Sequence, residues 1–104
     1  DYDTAIRYLE RMLRTIERPD QVMFIMLELA ELFMKSGNYS KAERMYLDFV
    51  KLYPSSQFAE QAYVKAIECS WMQTLQPDRD QTKTERTLAL IEEFLTRDSI
   101  YSAD

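Results

Sequence analysis

The chain has 104 residues, a net charge of −5, 46% hydrophobic and 30% charged residues, and only one glycine and three prolines. That length bounds one small domain, and so little turn chemistry excludes a sheet-rich fold and points to an all-α one. An acidic balance without long Lys/Arg clusters excludes a nucleic-acid binder, and no apolar run reaches the roughly 18 residues of a membrane-spanning helix.

Taken in chain order, residues 1–18 predict a first helix, with Tyr2, Ala5, Leu9, Met12, Leu13 and Ile16 along one face and Asp1 or Asp3 suited to its N-terminus. Pro19-Asp20 marks the next boundary, with Asp20 as the cap. Residues 20–36 are strongly apolar and free of Gly and Pro, which predicts a second helix. Gly37 supplies the positive φ a helix end favours, and Asn38 caps the next helix. This third helix runs from Tyr39 to Leu52, with Tyr39, Ala42, Met45, Tyr46, Phe49, Val50 and Tyr53 at helical spacing, and Pro54-Ser55-Ser56 ends it. Residues 56–75 predict a fourth helix, carrying Phe58, Tyr63, Ile67, Trp71, Met72 and Leu75. A loop occupies 76–82. Thr82 and Glu85 then form a capping-box pattern for a fifth helix, whose expected buried face is Leu88, Ile91, Phe94 and Leu95.

These helices repeat. Met26, Leu29, Ala30, Phe33, Tyr39, Ala42, Tyr46, Phe49 and Pro54 stand at the offsets of a tetratricopeptide repeat of about 34 residues. Small Ala30 and Ala42 let two helices approach closely, while the large side chains fill the space on either side. At an offset of 37, Tyr2, Ala5, Leu9 and Met12 fall on Tyr39, Ala42, Tyr46 and Phe49. At an offset of 36, Ala62, Ala66 and Cys69 fall on Met26, Ala30 and Phe33, with Lys65 departing from Leu29. Thr87, Ile91 and Phe94 take the places of Ala42, Tyr46 and Phe49. The expectation is an all-α, tetratricopeptide-like right-handed array of antiparallel helix hairpins with about five helices. Residues 1–18 are the second helix of a truncated repeat, 20–54 a complete repeat, and 56–98 a repeat with a long inter-helix loop at 76–82. The chain reads as a piece of a longer protein, and apolar surface at its two ends predicts self-association.

The chain has no histidine and one glycine, which excludes Ser-His-Asp and Cys-His nucleophiles, His-type zinc sites and Gly-rich phosphate loops. Cys69 reads as a packed small hydrophobe. Asp78 and Asp80 lack the regular oxygen ligands of a calcium loop and read as turn formers, and Asp78, Arg79 and Asp80 are candidates for contact with a partner. No catalytic residue, metal or cofactor is expected. The functional surface that the repeat locates is a concave groove. Positions two, five, nine and twelve of each first helix line it in such arrays: Phe24, Leu27, Glu31 and Met34, then Glu60, Tyr63, Ile67 and Ser70, with Trp71 beside them. That lining suits an extended or helical peptide with large apolar side chains. It does not suit a C-terminal carboxylate, because Leu27, Glu28 and Glu31 stand where a carboxylate clamp needs Lys and Asn.

Two phrases carry a resemblance. Leu52-Tyr-Pro-Ser-Ser-Gln-Phe-Ala-Glu-Gln-Ala62 resembles the between-repeat phrase of bacterial envelope tetratricopeptide proteins. Asp78-Arg-Asp-Gln-Thr82, followed by a helix containing Phe94-Leu95, resembles the third-repeat loop of the BamD/ComL/YfiO outer-membrane assembly lipoproteins. The resemblance implies a non-enzymatic, lipid-anchored scaffold of the β-barrel assembly machinery on the periplasmic side of the bacterial outer membrane. It further implies an Omp85-type barrel protein and unfolded outer-membrane proteins as partners, with the anchor and the barrel-protein contact outside this chain. Two other readings stay open. One is another periplasmic tetratricopeptide adaptor of the Tol-Pal-associated type; the other is the repeat arm of a larger enzyme.

Overall fold

The computed structural model describes residues 1–77 and 81–101. Within them lie five helices: α1 (Tyr2–Thr15), α2 (Pro19–Lys35), α3 (Tyr39–Leu52), α4 (Ala59–Thr74) and α5 (Gln81–Tyr101). No strand occurs among the described residues. The most extensive packing is between helices consecutive in sequence. Side-chain links fix their directions. Glu43, early in α3, meets Gln73, late in α4, so these two helices are antiparallel. Tyr63 and Ser70 of α4 meet Glu93 and Thr87 of α5 in reversed order, so α5 runs back along α4 and parallel to α3. The fold is the all-α, tetratricopeptide-like helical array that the spacing predicts.

Local chemistry sets the helix ends. The Asp1 carboxylate accepts the Thr4 N–H at 2.9 Å and caps α1. That helix stops at Thr15 rather than 18, because Ile16 is already extended (φ −84°, ψ 137°) and Arg18 must be extended before a proline. Pro19 takes the first helical position of α2, where its missing N–H costs nothing. Asp20 therefore lies inside the first turn instead of capping it, and there its charge still suits the helix dipole. The α2–α3 turn forms as expected. Gly37 has φ +87°, the Gly37 and Asn38 N–H groups reach back to the Met34 and Phe33 carbonyls, and the Asn38 side chain accepts the Lys41 N–H. Pro54 prevents α3 from continuing, and the Ser56 hydroxyl accepts the Phe58 N–H, so α4 starts at Ala59 rather than 56. Thr82 falls inside α5 and is not its cap.

Two kinds of interface join the helices. The first is apolar and centred on Ile25, Met26, Leu29, Ala30 and Phe33 of α2, with Ile6 and Leu9 of α1 on one side and Ala42, Tyr46 and Phe49 of α3 on the other. Ala30, Ala42 and Ala66 are wholly buried, and their short side chains let neighbouring helices close up. The second joins α5 to α3 and α4 and is rich in polar groups. Thr87 of α5 is buried, and its hydroxyl meets that of Ser70 at 2.6 Å. The fully buried Glu43 carboxylate accepts a hydrogen bond from Gln73 through Oε1 at 2.6 Å. Its Oε2 lies 2.6 Å from an Arg86 guanidinium nitrogen without an aligned hydrogen bond, so charge attraction holds it. The Tyr63 hydroxyl donates to Glu93 at 2.6 Å, its ring packs on Phe94, and Arg97 lies over that ring at 5.2 Å. Leu90 and Phe94 supply the apolar part. The expected buried face of α5 needs correction here: Leu88 and Leu95 are more than half exposed. Rotation of α5 toward the Ser70, Tyr63 and Glu43 partners turns them outward.

Candidate functional site

Helices α2 and α4, the first helices of successive hairpins, are held apart by α3, and a groove opens between them. It has two compartments that share Glu31 and Lys65. The first, of about 210 Å³, is walled by Leu27 and Glu28 of α2 and by Phe58, Gln61 and Ala62 at the start of α4, with Tyr46 of α3 beneath. The second, of about 530 Å³, is walled by Met34 and Lys35 of α2 and by Glu68, Trp71 and Met72 of α4, with Tyr39 beneath. Phe24 and Phe58 meet edge to face at 5.9 Å beside the first compartment. Trp71, half exposed, stands at the second. Each compartment mixes apolar side chains with polar or charged ones, and Glu31 and Lys65 form the waist between them.

The sequence-predicted residues distribute unevenly over this groove. Leu27, Glu31 and Met34 line it, Phe24 reaches it through its contact with Phe58, and Trp71 lines its larger compartment. The other α4 residues stand elsewhere. Tyr63 and Ser70 are buried against α5, Ile67 is half-buried, and Glu60 is exposed. The physical reason is directional. Residues on α2 that look forward to α4 sit on one side of a helix, and residues on α4 that look back to α2 must sit on the opposite side. Equal repeat positions therefore cannot face each other. The α4 wall is Phe58, Gln61, Lys65, Glu68 and Met72, spaced three or four apart on a single face. Lys65, a misfit in the apolar repeat pattern, belongs to this wall. Asp78, Arg79 and Asp80 lie outside the described residues.

Glu31 pairs with Lys35 at 3.9 Å, both well exposed, which is worth little. The Tyr46 hydroxyl below is pushed up to about 12 by burial, then by Cys69, Glu31 and Glu68. Cys69, wholly buried, is likewise pushed up to about 12 by burial and then by Glu43 and Glu68. Its thiol stays protonated at neutral pH, which suits packing and not nucleophilic attack. Among the described residues, no cluster of acidic or sulfur ligands is placed to hold a metal ion, and no helix is long and apolar enough to cross a membrane. The groove offers shape, apolar surface and a few charges, which is the equipment of a binding surface.

Compared with protein families, residues 1–104 match the model of the YfiO family, described as outer membrane lipoprotein. Neither a curated protein nor a solved structure matches the chain.

Proposed function

Because this chain belongs to the YfiO family of outer membrane lipoproteins, we propose that it is a non-enzymatic scaffold in outer-membrane β-barrel assembly, acting on the periplasmic face of that membrane. Its α2–α4 groove receives unfolded segments of outer-membrane proteins, and an Omp85-type barrel protein is its machinery partner. One observation carries the reading: an open channel with Leu27, Met34, Trp71 and Met72 available to large side chains. Outer-membrane strands supply such side chains on alternate positions, because one face of each strand meets lipid. An extended segment of that kind fits a two-compartment groove by placing one bulky group in each.

Titration with a fluorescent peptide from an outer-membrane β-strand tests this. Replacing Leu27 and Met34 by glutamine and Trp71 by alanine should weaken binding about tenfold or more, since buried aromatic and aliphatic anchors dominate such interfaces. Far-ultraviolet circular dichroism should be unchanged, as none of the three is fully buried. Equal affinity in the parent and the triple variant would remove the groove from consideration.

A further inference from the structure

A second cleft lies between α3 and α5, on the far side of α4 from the groove, and nothing in the scaffold function uses it. It has a volume of about 410 Å³. Arg44 and Lys51 of α3 and Arg86 and Arg97 of α5 line it together with Asp48 and Glu93, and Glu43 stands against Arg86, so four cations meet three carboxylates. This is a basic cleft in a chain whose net charge is −5. Its floor is apolar, made by Leu47, Val50 and Leu90 with the Tyr63 ring.

The cations form two groups. Because α3 and α5 run in parallel and Arg86 sits on Glu43, Arg86 and Arg44 stand at one end of the cleft. Arg97, over the Tyr63 ring, and Lys51 stand at the other. Seven residues of α3 separate Arg44 from Lys51, about 10 Å along the axis, and eleven of α5 separate Arg86 from Arg97, about 16 Å. Arg86 and Arg97 have partial partners in Glu43 and Glu93. Among the described residues, Arg44 and Lys51 have no carboxylate at ion-pair distance, although Asp48 lies between them. Arg44 and Lys51 are therefore the cations left for an anionic occupant.

We infer that the α3–α5 cleft docks an acidic segment of a partner protein, in which one apolar side chain lies between two carboxylates. In an extended chain, residues i, i+2 and i+4 share a face, and i to i+4 spans about 13 Å. A Glu-x-Leu-x-Glu pattern therefore presents one acid to each basic end and its leucine to the floor. A single lipid phosphate matches this less well, because the two basic ends stand too far apart for one anion.

The test uses fluorescence polarisation on the 104-residue chain. The probe is a labelled peptide containing Glu-Ser-Leu-Ser-Glu, with Lys-Ser-Leu-Ser-Lys and Glu-Ser-Ser-Ser-Glu as comparators and phosphatidylglycerol vesicles as competitor. The acidic peptide with leucine should bind best, and binding should weaken as salt rises. Arg44→Glu with Lys51→Glu should weaken it about tenfold, at unchanged helicity, since both side chains are exposed. If the double variant lost helicity, the charge-neutralising Arg44→Gln with Lys51→Gln would decide in its place, with a smaller loss supporting the docking site and no loss overturning it. Equal binding of the basic comparator, or an unaffected double variant, overturns the inference. So does displacement of the peptide by vesicles with tighter apparent binding, which would assign the cleft to membrane instead.

Discussion

The hairpins α2–α3 and α4–α5 share one topology and are assembled by different chemistry. The first turns through three residues, Ser36, Gly37 and Asn38, and closes on apolar surface, with Ala30 and Ala42 wholly buried where the helices approach. The second closes on a seam of hydroxyls and charges, Ser70 with Thr87 and Tyr63 with Glu93, which Glu43 of α3 extends by meeting both Arg86 and Gln73. Apolar closure is non-directional and forgives small displacements. A polar seam holds only in one register, since each buried group left unpaired carries a desolvation cost. The contrast teaches that a repeat fold fixes where helices go without fixing what holds them there.

The largest expected effect lies in the apolar half. Phe49 is wholly buried, and Phe49→Ala should lower the unfolding free energy by about 4 kcal/mol in urea titrations, because the cavity cannot collapse fully. An effect below about 1 kcal/mol would mean that the first hairpin is not the tighter one. In the seam the expected pattern is asymmetric. Arg86→Met strands the buried Glu43 carboxylate and should cost about 2–3 kcal/mol, somewhat less than a fully buried pair because Arg86 is half exposed. Glu43→Gln leaves Arg86 in water and should cost only about 1 kcal/mol. Equal losses from the two would show that the seam is not organised by the buried charge. Hydrogen exchange should see the amides of α5 open first in the Arg86 variant.

The smallest effect is a pH dependence shared by both halves. Burial raises Cys69 from 9.0 and Tyr46 from 10.0, each to about 12. The folded state therefore keeps protons that the unfolded chain releases. Stability from these groups is present in full below pH 9, falls as pH rises above it, and is lost by about pH 12. The midpoint of urea unfolding should decline over that window, and Cys69→Ala should delay the onset by about one pH unit, toward the range of Tyr46.

Much of the first hairpin is legible in the sequence because its signals are local. Gly37 and Asn38 specify their own turn, and the three- and four-residue spacing of apolar side chains specifies which face is inside. The seam is less legible, since its partners lie far apart along the chain: Glu43 and Gln73 are 30 residues apart. A helical wheel would have placed Glu43 at the edge of the buried face beside Val50, yet nothing local names Arg86 as its counterion. The same limit explains α5, where periodicity assigns Leu88 and Leu95 to the interior. The polar contacts that set the helix's rotation belong to other helices. For the groove, α2 is readable and α4 is not, because repeat positions encode a helix's own orientation and not the side it shows to a neighbour. Lys65, the residue that breaks the pattern, was the available signal for that wall.

The position of α3 has one more consequence. It stands between α2 and α4 and packs against both, while the walls of the groove meet each other at the rim through Phe24 and Phe58. In mechanical terms α3 is the pin of a hinge and the two first-type helices are its leaves. Any change in the width of the slot must be taken up where α3 meets each of them, since those are the main packed contacts that join α2 to α4. Ala42 and Ala66, both wholly buried, leave little slack at those contacts, so the width of the slot is set by how closely the helices pack there.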